Sequence, residues 1–122
     1  MRVLQESLIE LIRRTSAEMP EDVQRAIVQA LEVERKGTIA ESALKIIERN
    51  IELARRKSQP ICQDTGSILC YVDVPVGFDE TAFAAAACEA VRRATANGWL
   101  RQNSVDTVTG RNDGTNVGPG SP

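Results

Sequence analysis

Residues 59–66 of this 122-residue chain have the sequence QPICQDTG, a polar loop between two segments of different character. Residues 1–57 before it show helical periodicity, and a short apolar, β-branched run follows it. Pro60 fixes the backbone just before Cys62, while Gly66 permits a tight turn just after it. The stretch therefore predicts a loop that presents a thiol between a helix and a strand.

Three helices are predicted before this loop, because apolar residues recur there at intervals of three and four. Proline is favoured in the first turn of a helix, so Pro20 predicts the start of the second helix. Glycine is favoured at a helix end, so Gly37 predicts the end of that helix. The segment 38–41, TIAE, has the spacing of a capping box for the third helix. This helix should stop near Lys57, since the residue before Pro60 is driven out of helical geometry. The apolar stripes comprise Leu4, Leu8, Leu11 and Ile12; Val23, Ala26, Ile27, Ala30 and Leu31; and Ala40, Ala43, Leu44, Ile47, Ile51 and Ala54.

The part of the chain after the loop predicts one strand, one helix and an irregular tail. Residues 67–74, SILCYVDV, predict a short strand buried on both faces, because the run is apolar and β-branched. Asp79 is expected to cap a fourth helix over 80–97, which ends at Gly98 and is nearly all alanine on one side. Residues 99–122 have no clear period and are rich in glycine. The expected fold is a helix-rich α/β class without an internal domain boundary.

The overall charge and hydropathy exclude some classes of function. Fifteen basic residues against 17 acidic ones give a net charge of −2, which argues against a general nucleic-acid binder with a basic face. No apolar run approaches the ~20 residues that span a bilayer, and the N-terminus lacks a signal-peptide core. We expect a cytoplasmic protein that binds neither nucleic acid nor membranes.

The chain has no histidine, so it lacks the most common general base and zinc ligand. Its three cysteines, Cys62, Cys70 and Cys88, are spaced too widely for a CxxC redox or zinc motif. In a reducing cytoplasm, an odd number of cysteines does not indicate a disulfide framework. Carboxylates, hydroxyls, amines, guanidinium groups and thiols remain as candidate functional groups.

The loop contains three groups with useful chemistry. A thiolate at Cys62 is a suitable ligand for a soft metal. The Gln63 amide can hydrogen-bond a substrate carboxylate, and the Asp64 carboxyl group can donate or accept a proton. Three other interpretations remain open: a plain polar turn, a non-catalytic helical interaction module that packs through residues 3–54, and a thiol redox protein with Cys62 as nucleophile.

The heptapeptide PICQDTG, residues 60–66, resembles the first cluster-binding motif of the iron–sulfur hydro-lyases. This family includes class I fumarases and the α subunits of L-tartrate dehydratase and of two-subunit fumarase. The segments LRQNSV at 100–105 and RNDGTN at 111–116 also follow the order that the family shows, so the resemblance covers essentially the whole chain. It implies a 4Fe–4S cluster whose open iron polarises the C–O bond of a dicarboxylic 2-hydroxy acid, so that water is lost or added.

The resemblance also implies roles for individual residues. Cys62 matches the first cluster ligand. Gln63 and Asp64 match residues that contact substrate, with Asp64 as the catalytic group that delivers or accepts a proton. Arg101 matches an arginine that clamps a substrate carboxylate, since a guanidinium can make two parallel charge-assisted bonds.

The other cluster cysteines are expected beyond residue 122, so the two remaining thiols need another explanation. We expect Cys70 and Cys88 to be small buried hydrophobes, one in the strand and one in the alanine-rich helix. For Arg111, Asn112 and Asn116, a role in the site and a place in a plain turn both remain open.

Residues 1–122 are accordingly expected to form the N-terminal portion of an α-type catalytic domain, truncated and inactive by itself. The expected partners are the β subunit or the C-terminal domain of the same enzyme, within a homo-oligomeric assembly. Fumarate hydratase is the first expectation for its activity, and L-tartrate dehydratase is the second.

Overall fold

The computed structural model describes residues 2–62 and 68–118, and four α-helices lie within these ranges. They are α1 (Arg2–Ala17), α2 (Glu21–Val33), α3 (Ile39–Lys57) and α4 (Glu80–Ala96). The four predicted helices are confirmed, although α2 ends well before Gly37, which lies in the following turn with a φ of 82°. Within the described ranges, no helix combines the length and the apolar character needed to cross a membrane.

The helices pack as two pairs, α1 against α4 and α2 against α3, and a smaller contact between α1 and α3 joins the pairs. Small side chains let the backbones of α1 and α4 approach closely, because interaxial distance depends on the side chains at the contact. Ala90 and Ala94 of α4 have no exposed surface, and Val91 is 1% exposed. Arg93 and Glu6 form an ion pair of 3.0 Å beside this interface. The helix that the sequence predicts to be nearly all alanine on one side therefore packs closely against α1.

Two of the helices begin with the side-chain caps that the sequence predicts. Thr38 Oγ1 accepts a hydrogen bond of 3.1 Å from the N–H of Glu41, at the start of α3. Asp79 accepts one of 2.8 Å from the N–H group three residues later, at the start of α4. Phe78 and Phe83 place their ring centroids 6.0 Å apart across this second cap, which is the arrangement of a hydrophobic staple. Local sequence therefore determines where both helices start.

Residues 68–74 do not form the buried strand that the sequence predicts. The exposed fraction is 74% at Leu69 and 94% at Tyr71, and the thiol-bearing Cys70 between them is also exposed. A short strand needs neighbouring strands to satisfy its backbone N–H and C=O groups, and residues 2–62 and 68–118 contain none. The predictions of a buried strand and of a buried Cys70 are therefore wrong. Residue 67, the first residue of the predicted strand, lies outside the described ranges. The helix-rich part of the expected fold class is confirmed.

The segment after α4 is irregular, as predicted, and side chains bond its backbone throughout. Asp106 accepts hydrogen bonds from the N–H groups of Thr109 (2.6 Å) and Val108 (3.0 Å). Asp113 accepts one of 2.9 Å from the N–H of Thr115. The backbone bonds from the two threonines are the main reason that the pKa values of both aspartates are lowered. These turns shape the segment 106–115, which follows Arg101.

Candidate functional site

Three separate parts of the chain hold the backbone at Ile61 and Cys62. The carbonyl of Ser16, near the end of α1, accepts a hydrogen bond of 3.0 Å from the N–H of Ile61. Asn50 Nδ2, in α3, donates one of 2.8 Å to the carbonyl oxygen of Ile61. Arg101 Nε donates one of 3.2 Å to the carbonyl oxygen of Cys62. The first half of the QPICQDTG loop is therefore anchored at successive backbone positions.

The side chain of Cys62 is exposed, and its thiol is not part of a disulfide. It lines a largely apolar cavity of about 530 Å³, and Cys70 lines the same cavity. The exposed side chain of Cys62 thus lies beside an apolar surface. The apolar lining consists of Leu11, Ile12, Met19, Pro20, Pro60, Ile61, Ile68, Leu69 and Leu100.

Two predicted site residues, Gln63 and Asp64, lie outside the described residues. Their roles as substrate ligands, and that of Asp64 in proton transfer, stay predictions. The structure does describe what flanks them, namely the anchored backbone of Cys62 on one side and the half-buried Ile68 on the other.

Arg101 reaches the loop from the segment that follows α4, 39 residues further along the chain. Its guanidinium uses Nε for the carbonyl of Cys62, and its two terminal NH₂ groups have no partner among residues 2–62 and 68–118. Paired N–H groups on one edge of a guanidinium are the donors that bind a carboxylate in a bidentate manner. The structure thus brings Arg101 and Cys62 together and leaves the terminal edge of the guanidinium available.

Asn116 holds the segment that carries Arg101. Its Nδ2 donates hydrogen bonds to the carbonyl of Arg101 (2.6 Å) and to Thr95 Oγ1 in α4 (3.0 Å). Its Oδ1 accepts bonds from the N–H groups of Asn103 (2.9 Å) and Ser104 (3.2 Å). The residue is only 7% exposed. Of the two interpretations left open for Asn116, the structure supports more than a plain turn, because the side chain ties α4 to the Arg101 segment.

The other two residues left open, Arg111 and Asn112, have the contacts of a turn. The carbonyl of Arg111 accepts a hydrogen bond of 2.9 Å from the N–H of Asp106. Asn112 Nδ2 donates to the carbonyl of Gln102, and its Oδ1 accepts from the N–H of Gly114, both at 2.6 Å. Both residues are exposed. These contacts favour a structural role for the first part of the RNDGTN loop.

The structure describes all three thiols of this chain, and two of them line one cavity. Among the side chains that the structure describes, no group of three or more Cys, Asp or Glu is placed to hold a metal ion. Cys88 is half-buried in α4, whereas Cys62 and Cys70 are exposed at the shared cavity. The assignment of Cys62 as a cluster ligand stays a prediction.

A cluster of charged side chains fixes the end of α3, just before the loop. Ser58 has a φ of 49°, a left-handed conformation that costs energy for a residue with a Cβ atom. Arg13 Nη1 donates a bond of 3.2 Å to Ser58 Oγ, and the same guanidinium bonds Glu10 at 2.8 Å and Glu18 at 2.9 Å. Hydrogen bonds from Arg13 and then Arg14 lower the pKa of Glu10 to about 2. This cluster supports the backbone that leads into the site.

The sequence analysis did not identify several side chains that build this region. Arg13 lies 45 residues from Ser58, and Asn50 lies 11 residues from Ile61, so no local pattern marks these contacts. Both are polar residues of a helix, where a solvated position is the ordinary expectation. Asn116 was the exception, because it belongs to a segment that the sequence had already singled out.

Known proteins with similar sequences were identified by comparison. Residues 5–120 match the family model described as fumarate hydratase (Fumerase). A Geobacillus stearothermophilus protein with the provisional name of a class I fumarate hydratase is 43% identical over 122 residues, which are all of this chain and 24% of that protein. A Methanocaldococcus jannaschii protein with the provisional name of an L(+)-tartrate dehydratase subunit alpha is 32% identical over 118 residues, 94% of this chain and 41% of that protein. The chain spans less than half the length of either relative.

Proposed function

The chain belongs to the fumarate hydratase (Fumerase) family, and we propose that it forms one wall of the active site of an iron–sulfur hydro-lyase. The reaction adds water to, or removes it from, a dicarboxylic acid, with the fumarate–malate pair as the first candidate. The observation that carries the proposal is the hydrogen bond of 3.2 Å from Arg101 to the backbone of Cys62. This contact joins the expected carboxylate clamp to the expected cluster ligand.

A 4Fe–4S cluster would supply an electrophilic iron that polarises the C–O bond of the substrate. The exposed thiol of Cys62 suits one ligand position of such a cluster. Residues 2–62 and 68–118 hold no complete ligand set, so we propose that the other cysteines come from outside residues 1–122. Apolar residues line the surface beside the Cys62 thiol.

Arg101 would bind one carboxylate of the substrate and orient the molecule relative to Cys62. Its planar guanidinium offers paired N–H donors to a carboxylate, and its Nε contact with the loop fixes its position. A carboxylate bound to the terminal NH₂ edge would then lie beside the loop. Asp64 would exchange a proton with the substrate hydroxyl, and Gln63 would donate a hydrogen bond to a carboxylate.

The rest of the enzyme would cover the apolar surface next to the site. Leu69, Tyr71 and Val76 are 74%, 94% and 107% exposed, a concentration of apolar surface that is typical of an interface. The two relatives are about four and two and a half times as long as the part matched here, as their covered fractions of 24% and 41% indicate. We therefore propose a C-terminal domain or β subunit of the same enzyme as the partner, within a homo-oligomer located in the cytoplasm.

L-tartrate is the second candidate substrate, because the name of the relative that is 32% identical refers to that activity. Malate and tartrate differ by one hydroxyl group, so the carboxylate clamp proposed for Arg101 serves both. The choice between them depends on groups that contact this hydroxyl.

Anaerobic reconstitution of the complete enzyme with iron and sulfide tests the proposal. The wild-type enzyme should bind a cluster and hydrate fumarate, and Cys62→Ser should lose both properties. Cys70→Ser is the matched control, since it changes another exposed thiol on the same cavity, and it should keep both. Tartrate assayed in parallel identifies the substrate. Full activity of Cys62→Ser, or an active wild-type enzyme without iron, would contradict the proposal.

A further inference from the structure

Asn116 combines three features that are unusual for a residue in an exposed, irregular segment. It is 7% exposed, its φ is 56°, and its side chain makes four hydrogen bonds to residues within 2–62 and 68–118. A left-handed conformation is uncommon outside glycine, although asparagine tolerates it better than most residues. The surrounding structure must therefore determine this position strongly.

The four bonds connect a rigid element to the segment that carries Arg101. On the helical side, Asn116 Nδ2 donates to Thr95 Oγ1, which itself donates to the carbonyl of Val91 at 2.8 Å within α4. On the other side, the amide bonds the carbonyl of Arg101 and the N–H groups of Asn103 and Ser104. The backbone on which Arg101 is mounted is thus held to the end of α4 by one side chain.

We propose that Asn116 is a positioning residue for the substrate site, which keeps the guanidinium of Arg101 against the Cys62 loop. The inference rests on the proposed function, because it assigns Asn116 to the binding of a substrate carboxylate through Arg101. Asn116 itself does not contact the carbonyl of Cys62; the contact is made by Arg101 Nε at 3.2 Å. Without the amide, the segment would lose one buried and three part-buried hydrogen bonds, and the guanidinium would sample other positions.

The chemistry of the amide explains why asparagine is needed. Its oxygen accepts from two backbone N–H groups while its nitrogen donates to a carbonyl and a hydroxyl, so both ends of the group are used. In Asn116→Asp, the oxygen that replaces Nδ2 would face the carbonyl of Arg101 at a distance that suits only a donor. In Asn116→Gly, the left-handed backbone is retained at no steric cost but all four bonds are lost. The two variants therefore separate the role of the side chain from that of the backbone.

Steady-state kinetics of the complete enzyme test the inference. Asn116→Gly and Asn116→Asp should raise the KM for the dicarboxylate about tenfold, the effect of misplacing one charge-assisted contact, with a smaller change in kcat. Asn112→Ala is the matched control, because it removes an exposed asparagine that bonds the same segment at Gln102. Its KM should stay within about twofold of that of the wild type, as expected for an exposed turn residue.

A double-mutant cycle with Arg101→Ala separates positioning from general damage. If Asn116 acts through Arg101, Asn116→Gly should raise KM little further once Arg101→Ala is present, because contacting residues are not additive. Hydrogen–deuterium exchange of the same enzyme should show faster exchange at the amides of Asn103 and Ser104 in Asn116→Gly. Exchange within α4 should be unchanged. An unchanged KM, or additive effects in the cycle, would overturn the inference.

These outcomes distinguish failure of the inference from failure of the proposed function. A wild-type enzyme with a cluster but no hydro-lyase activity would refute the function, and the positioning role with it. An active wild-type enzyme whose KM does not respond to Asn116→Gly would refute the inference alone. In that case, faster exchange at Asn103 and Ser104 would show that Asn116 has only a structural role.

Discussion

Arg101 Nε and the carbonyl oxygen of Cys62 are joined by a hydrogen bond of 3.2 Å, although 39 residues separate them along the chain. Both ends of this bond are fixed by other contacts. The Cys62 side is held by Ser16 and Asn50 through the backbone of Ile61. The bond therefore joins two segments that other contacts anchor independently, and it defines the position of the candidate site.

Replacement of Arg101 by lysine should weaken substrate binding although the charge is retained. Lysine has one ammonium group and cannot bond the Cys62 carbonyl and a carboxylate with the fixed fork of a guanidinium. We expect the KM of the complete enzyme for fumarate to rise about tenfold in Arg101→Lys, which corresponds to about 1.4 kcal/mol. Arg111→Lys, an exposed arginine in a nearby turn, serves as control and should leave KM unchanged. Equal KM values for the two variants would exclude the clamp.

The ion pairs of Glu10 should make the stability of this chain depend on pH. Arg13 and Arg14 lower the pKa of Glu10 from 4.5 to about 2, so the folded state favours the ionised carboxylate. A lowered folded-state pKa gives stabilisation that is complete above about pH 4.5 and is lost as the pH falls through about 2. The effect should be modest and sensitive to salt, because the Glu10 side chain is 46% exposed.

Urea unfolding across this range measures the effect of Glu10. Glu10→Gln should be less stable than the wild type near neutral pH, and the difference should shrink steadily at acidic pH. Glu21→Gln is the control, since the Glu21 carboxylate is 91% exposed and lies 3.7 Å from Arg25. The interpretation fails if the difference between Glu10→Gln and the wild type is independent of pH.

Enlargement of the small-residue face of α4 should destabilise the fold. Ala90 has no exposed surface in the interface between α1 and α4, so a leucine there must displace packed atoms. Ala90→Leu should lower the free energy of unfolding by about 1–3 kcal/mol or more, the usual cost of overpacking. Ala85→Leu adds the same side chain at an exposed position of the same helix. This variant should change the free energy of unfolding by less than about 0.5 kcal/mol. Thermal or urea unfolding of both variants gives the comparison, and equal losses would contradict the packing described for α4.

The three thiols should react at different rates with an alkylating reagent. Cys62 and Cys70 are exposed, while Cys88 is half-buried in α4. We therefore expect peptide mass spectrometry to show modification of the first two cysteines well before the third. Under denaturing conditions the rates should converge, which controls for intrinsic reactivity. Faster reaction of Cys88 in the native protein would show that the α1–α4 pair opens more readily than its packing indicates.

Local sequence was sufficient to predict the four helices and most of their ends, with the end of α2 as the exception. The cap at Thr38 and the cap with its aromatic staple at Asp79 depend on residues no more than five positions apart, so a short window contains the whole interaction. Gly98, with a φ of 74°, ends α4 where the sequence places it, because its N–H bonds the carbonyl of Thr95 three residues earlier. The composition of α4 likewise predicts its close packing.

Tertiary structure alone decided the parts that depend on distant partners. Residues 68–74 have the composition of a buried strand, yet burial requires neighbouring strands, which residues 2–62 and 68–118 do not supply. The sequence also identified Cys62 and Arg101 as candidate site residues, but it does not show that the two residues are in contact. Bonds from Asn116 and to Ile61 hold the two segments that meet at this contact, and such bonds between distant residues leave no periodic signal in the chain. Short-range hydrogen bonds and side-chain periodicity thus determined the elements of this protein, and long-range packing determined the site.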